Sequence, residues 1–228
     1  MKKTNVAPGR DVAAKLEAKP GSFFDRARLL LDAKVPAGLD DLSIDAGFGE
    51  PVLNPEVWKS TGQRPSRRAA VLVPIIDRKE PTVLLTLRTA DLASHGGQVA
   101  FPGGKIEPDD ESPLAAALRE TKEETGLAAG VIEPLGYLDL YLTFSGFRIL
   151  PAVARAHPDF KLTLNPREVT DTFEVPLAYL MTPENLHRQT REWNGTARTY
   201  YAITYQNRFI WGITAGILQN LYDRVWTK

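Results

Sequence analysis

Residues 103–127 read GGKIEPDDESPLAAALRETKEETGL, and the way this stretch folds governs the reading of the rest of the chain. Ser112 followed by Pro113 marks a helix start. The serine side chain can accept from an orphan N–H, and proline fits the first helical position, where its missing N–H has no intrahelical partner. Gly126 is a natural stop, because glycine takes the left-handed conformation that closes a helix without a Cβ clash. At about 100° per residue, Leu114, Leu118, Thr121 and Thr125 share one face of that helix, and Glu120, Glu123 and Glu124 fall on nearly the opposite one. Like charges at this spacing repel by roughly 0.2–0.5 kcal/mol per pair on an isolated helix, a penalty that folding alone does not require. The helix is expected to pack by one side and to present its carboxylates to a cation by the other.

The rest of the composition narrows what that cation can be. The 228 residues, 43% hydrophobic and 25% charged, suit one globular domain of catalytic size. Twenty-eight basic residues balance 28 acidic ones, so no global field draws the chain to nucleic acid or to an anionic membrane. The absence of cysteine excludes disulfides, thiolate zinc sites and cysteine nucleophiles. His95, His157 and His187 show no close i, i+4 pairing, which argues against a histidine metal cluster. Oxygen ligands remain, and convergent carboxylates suit a hard ion such as Mg²⁺ or Mn²⁺, which commonly holds substrate phosphates as well. The opening MKKTNVAPGR leads into polar sequence rather than an apolar h-region, and no apolar run reaches membrane-spanning length. A cytoplasmic protein with neither nucleic acid nor membrane as partner is expected.

Outward from the acidic helix the chain alternates short apolar runs. AAVLVPII (69–76) and PTVLLTLR (81–88), separated by the polar DRKE, read as a strand pair. Further strands are expected at 97–101, 131–142, 146–155 and 199–211, the last broken at Gln206 and Asn207 as a hairpin would be. GITAGILQNLYDRV places Ile213, Ile217, Leu218, Leu221 and Val225 on one helical face. Near the N-terminus, Phe23, Phe24, Ala27, Leu30 and Leu31 share a face behind a Ser22 cap. The aperiodic GFGEPVLNPEVWKSTGQRPSRR (47–68), rich in Pro, Gly and polar residues, reads as a connection across the surface. The expected fold is α/β, a mixed sheet covered by helices, with residues 1–60 an N-terminal helical extension and linker and 61–228 the main domain.

The acidic stretch also resembles a known signature. With Glu111 eight residues ahead of Arg119 and Gly104 further upstream, Arg119, Glu120, Glu123, Glu124, Gly126 and Leu127 stand in register with the Nudix box. That box belongs to hydrolases that cleave nucleoside diphosphates linked to another group. Two positions depart from it: the spacing from Gly104 to Glu111 is one residue longer than usual, and Thr121 takes a usually aliphatic place. Residues 84–105, LLTLRTADLASHGGQVAFPGGK, resemble the additional signature of the Nudix subfamily that hydrolyses coenzyme A and its thioesters, which shares the longer spacing. Leu84, Leu85, Thr86, Arg88, His95, Gly97, Gln98, Phe101, Pro102, Gly103 and Gly104 match it, whereas Ala93 stands where an arginine is common. FIWGITAGILQNL and NPREVTDTFEVPLAYL extend the resemblance over roughly residues 69–225.

The resemblance implies a Nudix-type α/β/α sandwich in which Mg²⁺ or Mn²⁺, held by carboxylates, positions a water for attack on phosphorus without a covalent intermediate. Glu120 and Glu124 would be metal ligands and Glu123 a ligand or base, with Arg119 holding a glutamate in place. A further base or ligand from outside the box would be Glu168, with Glu174 behind it. Arg88, Lys105 and Arg148 are candidate phosphate partners, and His95 would contact the nucleotide or cap a turn. Gly97, Gln98, Phe101, Gly103 and Gly104 complete the substrate-binding set. The paired glycines would either admit a diphosphate closely or relieve a tight bend. The implied reaction splits coenzyme A or acyl-CoA into 3′,5′-ADP and 4′-phosphopantetheine or its acyl form. The alternatives are the same chemistry on ADP-ribose, dinucleotides or NDP-sugars, and a nucleotide-sensing module without turnover. For residues 1–60, covering the sheet, making a homodimer contact and gating the site are the roles left open.

Overall fold

In the computed structural model, residues 22–44, 47–62, 64–91 and 96–227 are described. The helices are α1 Phe23–Leu30, α2 Glu50–Leu53, α3 Pro55–Thr61, α4 Pro113–Thr125, α5 Leu177–Leu180 and α6 Ile213–Leu221. The first strands are β1 Phe48–Gly49, β2 Arg67–Ile76, β3 Thr82–Arg88, β4 Val99–Ala100, β5 Gly103–Lys105 and β6 Ile132–Tyr137. They are followed by β7 Tyr141–Leu142, β8 Phe147–Ala156, β9 Val169–Pro176, β10 Leu186–Trp193, β11 Thr196–Tyr205 and β12 Arg208–Trp211. No helix among the described residues is long and apolar enough to cross a membrane.

The apolar run at 69–76 becomes the centre of the large mixed sheet because both of its faces are buried. Side chains alternate across a strand. Ala69, Val73 and Ile75 join one core with Phe24 and Ala27 of α1 and Ile217, Leu218 and Leu221 of α6. Ala70 and Leu72 point the other way, against Ala116 and Ala117 of α4 and Ala152 and Ala154 of β8. Small side chains on both partners let α4 lie close to the sheet. The result is the expected α/β/α sandwich, in a nine-stranded sheet with a separate three-stranded antiparallel sheet, β10-β11-β12.

Strand β2 runs parallel to β8 from Arg67↔Phe147 to Ile76↔Ala156. Its other edge is shared: β5 pairs at residues 69–71 and β3 only at Ile75 and Ile76. The expected β2–β3 pair is therefore brief, and β3 finds its full-length partner in β9. Leu72 N–H donates toward that divided edge, to Pro102 O at 2.9 Å. Pro74, two residues on, withholds its donor only where the sheet has split.

Several stretches differ from the sequence reading, among them the expected strand at 131–142, which is divided into β6 and β7, and the short β5 and α5, which were not expected. Residues 47–68 are not an aperiodic connection: they hold α2 and α3, each with a proline in its first turn, and α3 ends at Gly62 with φ 59°. Strands β9 and β10 were not expected, because their polar residues mask the alternation. The hairpin at Gln206, with φ 52°, and the packing helices α1 and α6 stand as read.

Candidate active site

Helix α4 begins as its sequence requires, with Ser112 Oγ accepting from Ala115 N–H at 3.1 Å. It ends at Gly126, φ 75°, where an added Cβ would lie 2.8 Å from Thr163 N. Beyond that point the chain returns to the helix: Thr163 N–H donates to Thr125 O at 2.8 Å and Asn165 N–H to Glu124 O at 3.0 Å. These bonds carry the loop holding Glu168 to the C-terminal end of α4.

The packing face of α4 is the expected one only in part, since Thr121 and Thr125 are buried as read but the face is turned away from Leu114 and Leu118 toward Glu124. Ala116, Ala117, Thr121, Glu124 and Thr125 are buried, whereas Leu114 and Leu118 are only half-buried. Thr121 and Thr125 enter the core because each hydroxyl donates to the carbonyl four residues back, at 2.6 Å. Glu124 goes in with them, 1% exposed, while the Glu123 side chain stays 54% exposed.

Glu124 accepts from Gly103 N–H at 3.1 Å and from Arg88 Nη1 at 3.2 Å. Burial still dominates and pushes its carboxyl up to about 7, with the charges of Glu168 and Glu120 adding to the rise. Burial also raises Glu120, helped by Glu123 and Glu168 and opposed by Arg119. Gly104 lets the Glu120 carboxylate lie directly over the backbone: an added Cβ would stand 2.5 Å from its Cδ and push that carboxylate aside. Gly103 has φ 146°, and a Cβ there would collide with Ala70 O. The tight approach these glycines allow is thus to the protein's own carboxylate and backbone.

Arg119 touches Glu120 at 3.0 Å and Glu123 at 3.5 Å, as expected of a tether. Its main anchor is Asp110, which takes Nε at 2.9 Å and Nη2 at 3.0 Å in a bidentate fork. The Arg119 guanidinium holds the Asp110 carboxyl below the usual range. Sequence reasoning missed Asp110 because it looked one position on, to Glu111, which is exposed.

Glu120, Glu123, Glu124 and Glu168 carry only oxygen donors, and Glu168 is steadied by Asn165 Nδ2 at 2.8 Å. Among the described residues no three acidic or histidine side chains already close around a point. Glu124 and Glu120 instead face Arg88 and Arg119. The carboxyls raised by burial and by one another are an anionic surplus that a hard cation would relieve, so the residues fit a divalent ion.

Arg88, Gln98, Phe101, Gly103, Gly104 and Lys105 line one cavity of about 480 Å³ that reaches this edge. Gly97, φ 71°, fastens the turn beside it by donating to Arg88 O at 3.1 Å. His95 and Ala93 lie outside the described residues. Two expected site residues are elsewhere. Arg148 is 2% exposed and donates to Ile44 O at 2.6 Å and to Pro65 O and Asp41 O at 3.4 Å, so it braces the N-terminal segment rather than a phosphate. Glu174 sits at the far end of the β3–β9 pair, held by Arg78 through two bonds of 2.6 Å. The cavity also has a wall that sequence reasoning did not find, including Phe144, Trp193, Tyr200 and Trp211.

Residues 66–200 match the NUDIX domain. The chain belongs to the Nudix family. It is 42% identical over 160 residues, 70% of this chain and 80% of the relative, to the "Uncharacterized Nudix hydrolase NudL" of Yersinia pestis (strain Pestoides F). The NudL of Yersinia pseudotuberculosis serotype O:1b (strain IP 31758) matches to the same extent. Among solved structures, DR0079 from Deinococcus radiodurans aligns over 68% of this chain and 83% of its own, with TM-score 0.47 and 13% identity. This Nudix chain is a hydrolase of pyrophosphate bonds in nucleoside diphosphate derivatives, a family that uses divalent metal cations.

Proposed function

We propose that this Nudix hydrolase cleaves the diphosphate of coenzyme A or an acyl-CoA, giving 3′,5′-ADP and 4′-phosphopantetheine or its acyl form. The observation that carries the reading is the cavity of about 480 Å³, basic and glycine-lined at the carboxylate edge and aromatic beyond it. That shape suits a diphosphate bearing a long group that is not a nucleotide. The signature residues at 84–105 support the same substrate.

Glu120 and Glu124 would hold Mg²⁺ or Mn²⁺, with Glu123 or Glu168 completing the set. When bound, such an ion polarises phosphoryl oxygens and lowers the pKa of water. Arg119, fixed by Asp110, keeps Glu120 turned to the edge. Arg88 and Lys105 offset charge on the diphosphate. Water attacks one phosphorus, its bond to the bridging oxygen breaks, and that oxygen leaves with the other phosphate. Glu168 takes the proton from the attacking water, and no covalent enzyme intermediate forms.

Purified protein incubated with CoA and Mg²⁺ should release 3′,5′-ADP. Hydrolysis of ADP-ribose or an NDP-sugar without hydrolysis of CoA would overturn the substrate. Nucleotide binding with no metal-dependent turnover would support a sensing module instead.

A further inference from the structure

The sheet β10-β11-β12 treats its two sides differently. On one side β11 runs past the end of β12, whose pairing stops at Ala202↔Trp211. There Asn54 takes the place of a strand, accepting from Thr199 N–H at 2.7 Å and donating to its carbonyl at 2.9 Å. On the other side lies β10, LHRQTREW, whose residues 187–192 are all exposed.

The hairpin turn decides which backbone groups that edge presents. Asn194 and Gly195, at φ 48° and 74°, form a two-residue turn closed by the Trp193↔Thr196 pair. Such a turn closes on a pair that exchanges both hydrogen bonds, and bonded pairs then alternate along the ladder. Trp193, Arg191, Gln189 and His187 therefore direct their N–H and C=O groups to β11, while Glu192, Thr190 and Arg188 turn theirs outward. Among the described residues no group bonds these outward N–H and C=O groups.

A row of open backbone groups on a strand without proline is a template for another strand, and charged side chains commonly keep such edges apart. In β10 the order of the charges instead makes the strand complementary to itself. With a second copy antiparallel about a two-fold axis at Thr190, Arg188 of each copy stands opposite Glu192 of the other, and Thr190 opposite Thr190. Outward groups then meet outward groups, giving about six backbone hydrogen bonds flanked by two opposite-charge pairs. Moving the axis to Gln189 loses both charge pairs, and moving it to Arg188 or Arg191 puts arginine opposite arginine.

We propose that β10 is a self-association edge, through which two copies of this chain join their three-stranded sheets into one. The proposal does not depend on the substrate. The same register sets His187 of the second copy opposite Trp193, on the face from which Trp193 lines the main cavity, so each copy places a side chain beside a wall residue of the other's site. One strand edge buries less than the roughly 1,600 Å² of a standard interface, so the dimer is a weak one that forms at tens of micromolar or above.

Sedimentation velocity of the full chain from about 1 to about 300 µM should show a reversible monomer–dimer equilibrium. Arg188→Glu and Glu192→Arg, each alone, put like charges opposite one another on both sides of the axis and should each raise the dissociation constant by about tenfold or more. Mixed in equal amounts, the two variants should associate about as well as the wild type, because each meets the charge it lacks; an unfolded variant would not. The chain contains no cysteine, so Thr190→Cys supplies a single thiol, which mild oxidation should link to its counterpart across the axis, about 5.5 Å away between Cα atoms. Gln189→Cys, offset from the axis, should link at least about tenfold more slowly. A wild-type chain that stays monomeric throughout overturns the proposal. So do single variants that dimerise unimpaired, a mixture that fails to complement, or cross-linking as fast at 189 as at 190.

Discussion

The carboxylate cluster and the cavity beside it are assembled by opposite means. At the acidic end, Glu120, Glu123 and Glu124 come from a single helix, and Asp110 with Gly103 and Gly104, the two glycines that also line the cavity, from the stretch leading into it. At the aromatic end, the wall draws on residues as distant in sequence as Glu50 and Ile217. Bond cleavage needs a few charged groups at fixed mutual spacing, which one helix and its preceding loop can supply. Recognition of a bulky group needs an enclosing surface, and that exists only once remote elements have packed. The difference suggests that chemistry and substrate choice can be altered independently.

The strongest way to break this contrast is at the acidic end. Glu124→Gln or Glu120→Gln should lower kcat by about 10³-fold or more, since several kcal/mol of transition-state stabilisation depend on the charged ligand set. The fold should survive, with an unchanged circular dichroism spectrum. Full turnover in either variant would remove these carboxylates from the proposed chemistry. A second contrast sets two arginines apart. Arg148→Met should cost about 3 kcal/mol of stability in urea unfolding, because the carbonyls of Ile44, Pro65 and Asp41 lose a buried donor. Its kcat per folded molecule should stay near wild type. Arg88→Ala should lose turnover instead, at a smaller stability cost, because buried Glu124 can take up a proton once its partner is gone.

Much of the acidic end was legible in the sequence. Ser112, Pro113 and Gly126 set the limits of α4 as local capping chemistry dictates. The glutamate spacing then brought the carboxylates together. What was not legible was which of them goes inside. Helical projection put Glu124 with Glu123 on an exposed face, but the return of Thr163 and Asn165 onto the end of α4 covers Glu124, and no local periodicity encodes that contact. Asp110 was hidden for a similar reason: its pairing with Arg119 spans a loop. The N-terminal elements α2 and α3 were read as a connection because Pro51 and Pro55 look like breakers when they are helix starters. Arg148 illustrates the limit best, since a lone arginine beside a signature looks like a phosphate partner until its burial is known.

The burial of Glu124 makes the metal-free protein sensitive to pH in a defined direction. Its folded value, about 7, lies above the ordinary 4.5, so the native state keeps a proton that the unfolded chain releases. Stability contributed by the protonated form is complete below about 4.5 and lost as pH rises through about 7, a change of at most about 3 kcal/mol. Chemical denaturation at a series of pH values without divalent ions should show this decline, and Glu124→Gln should remove most of it, leaving the smaller part that the raised Glu120 carboxyl contributes. Saturating Mg²⁺ should flatten it in the wild-type protein. A profile unaffected by the substitution would mean that another group carries the titration.

Glu174 supplies the smallest effect and the opposite sign. Arg78 and Thr82 bond its carboxylate and hold it below the ordinary value, so the pair stabilises the fold above the unfolded pKa and loses that contribution as pH falls through the folded one. The Arg78 side chain is 42% exposed, and solvent screening limits the pair to less than about 1 kcal/mol. Glu174→Gln should therefore lower stability slightly at neutral pH and not at all in acid, with kcat and KM unchanged. Glu174 and Glu168 share one segment and one charge, yet only Glu168 lies close enough to raise Glu120 and Glu124. A loss of turnover on substituting Glu174 would show that the far end of β9 reaches the chemistry after all.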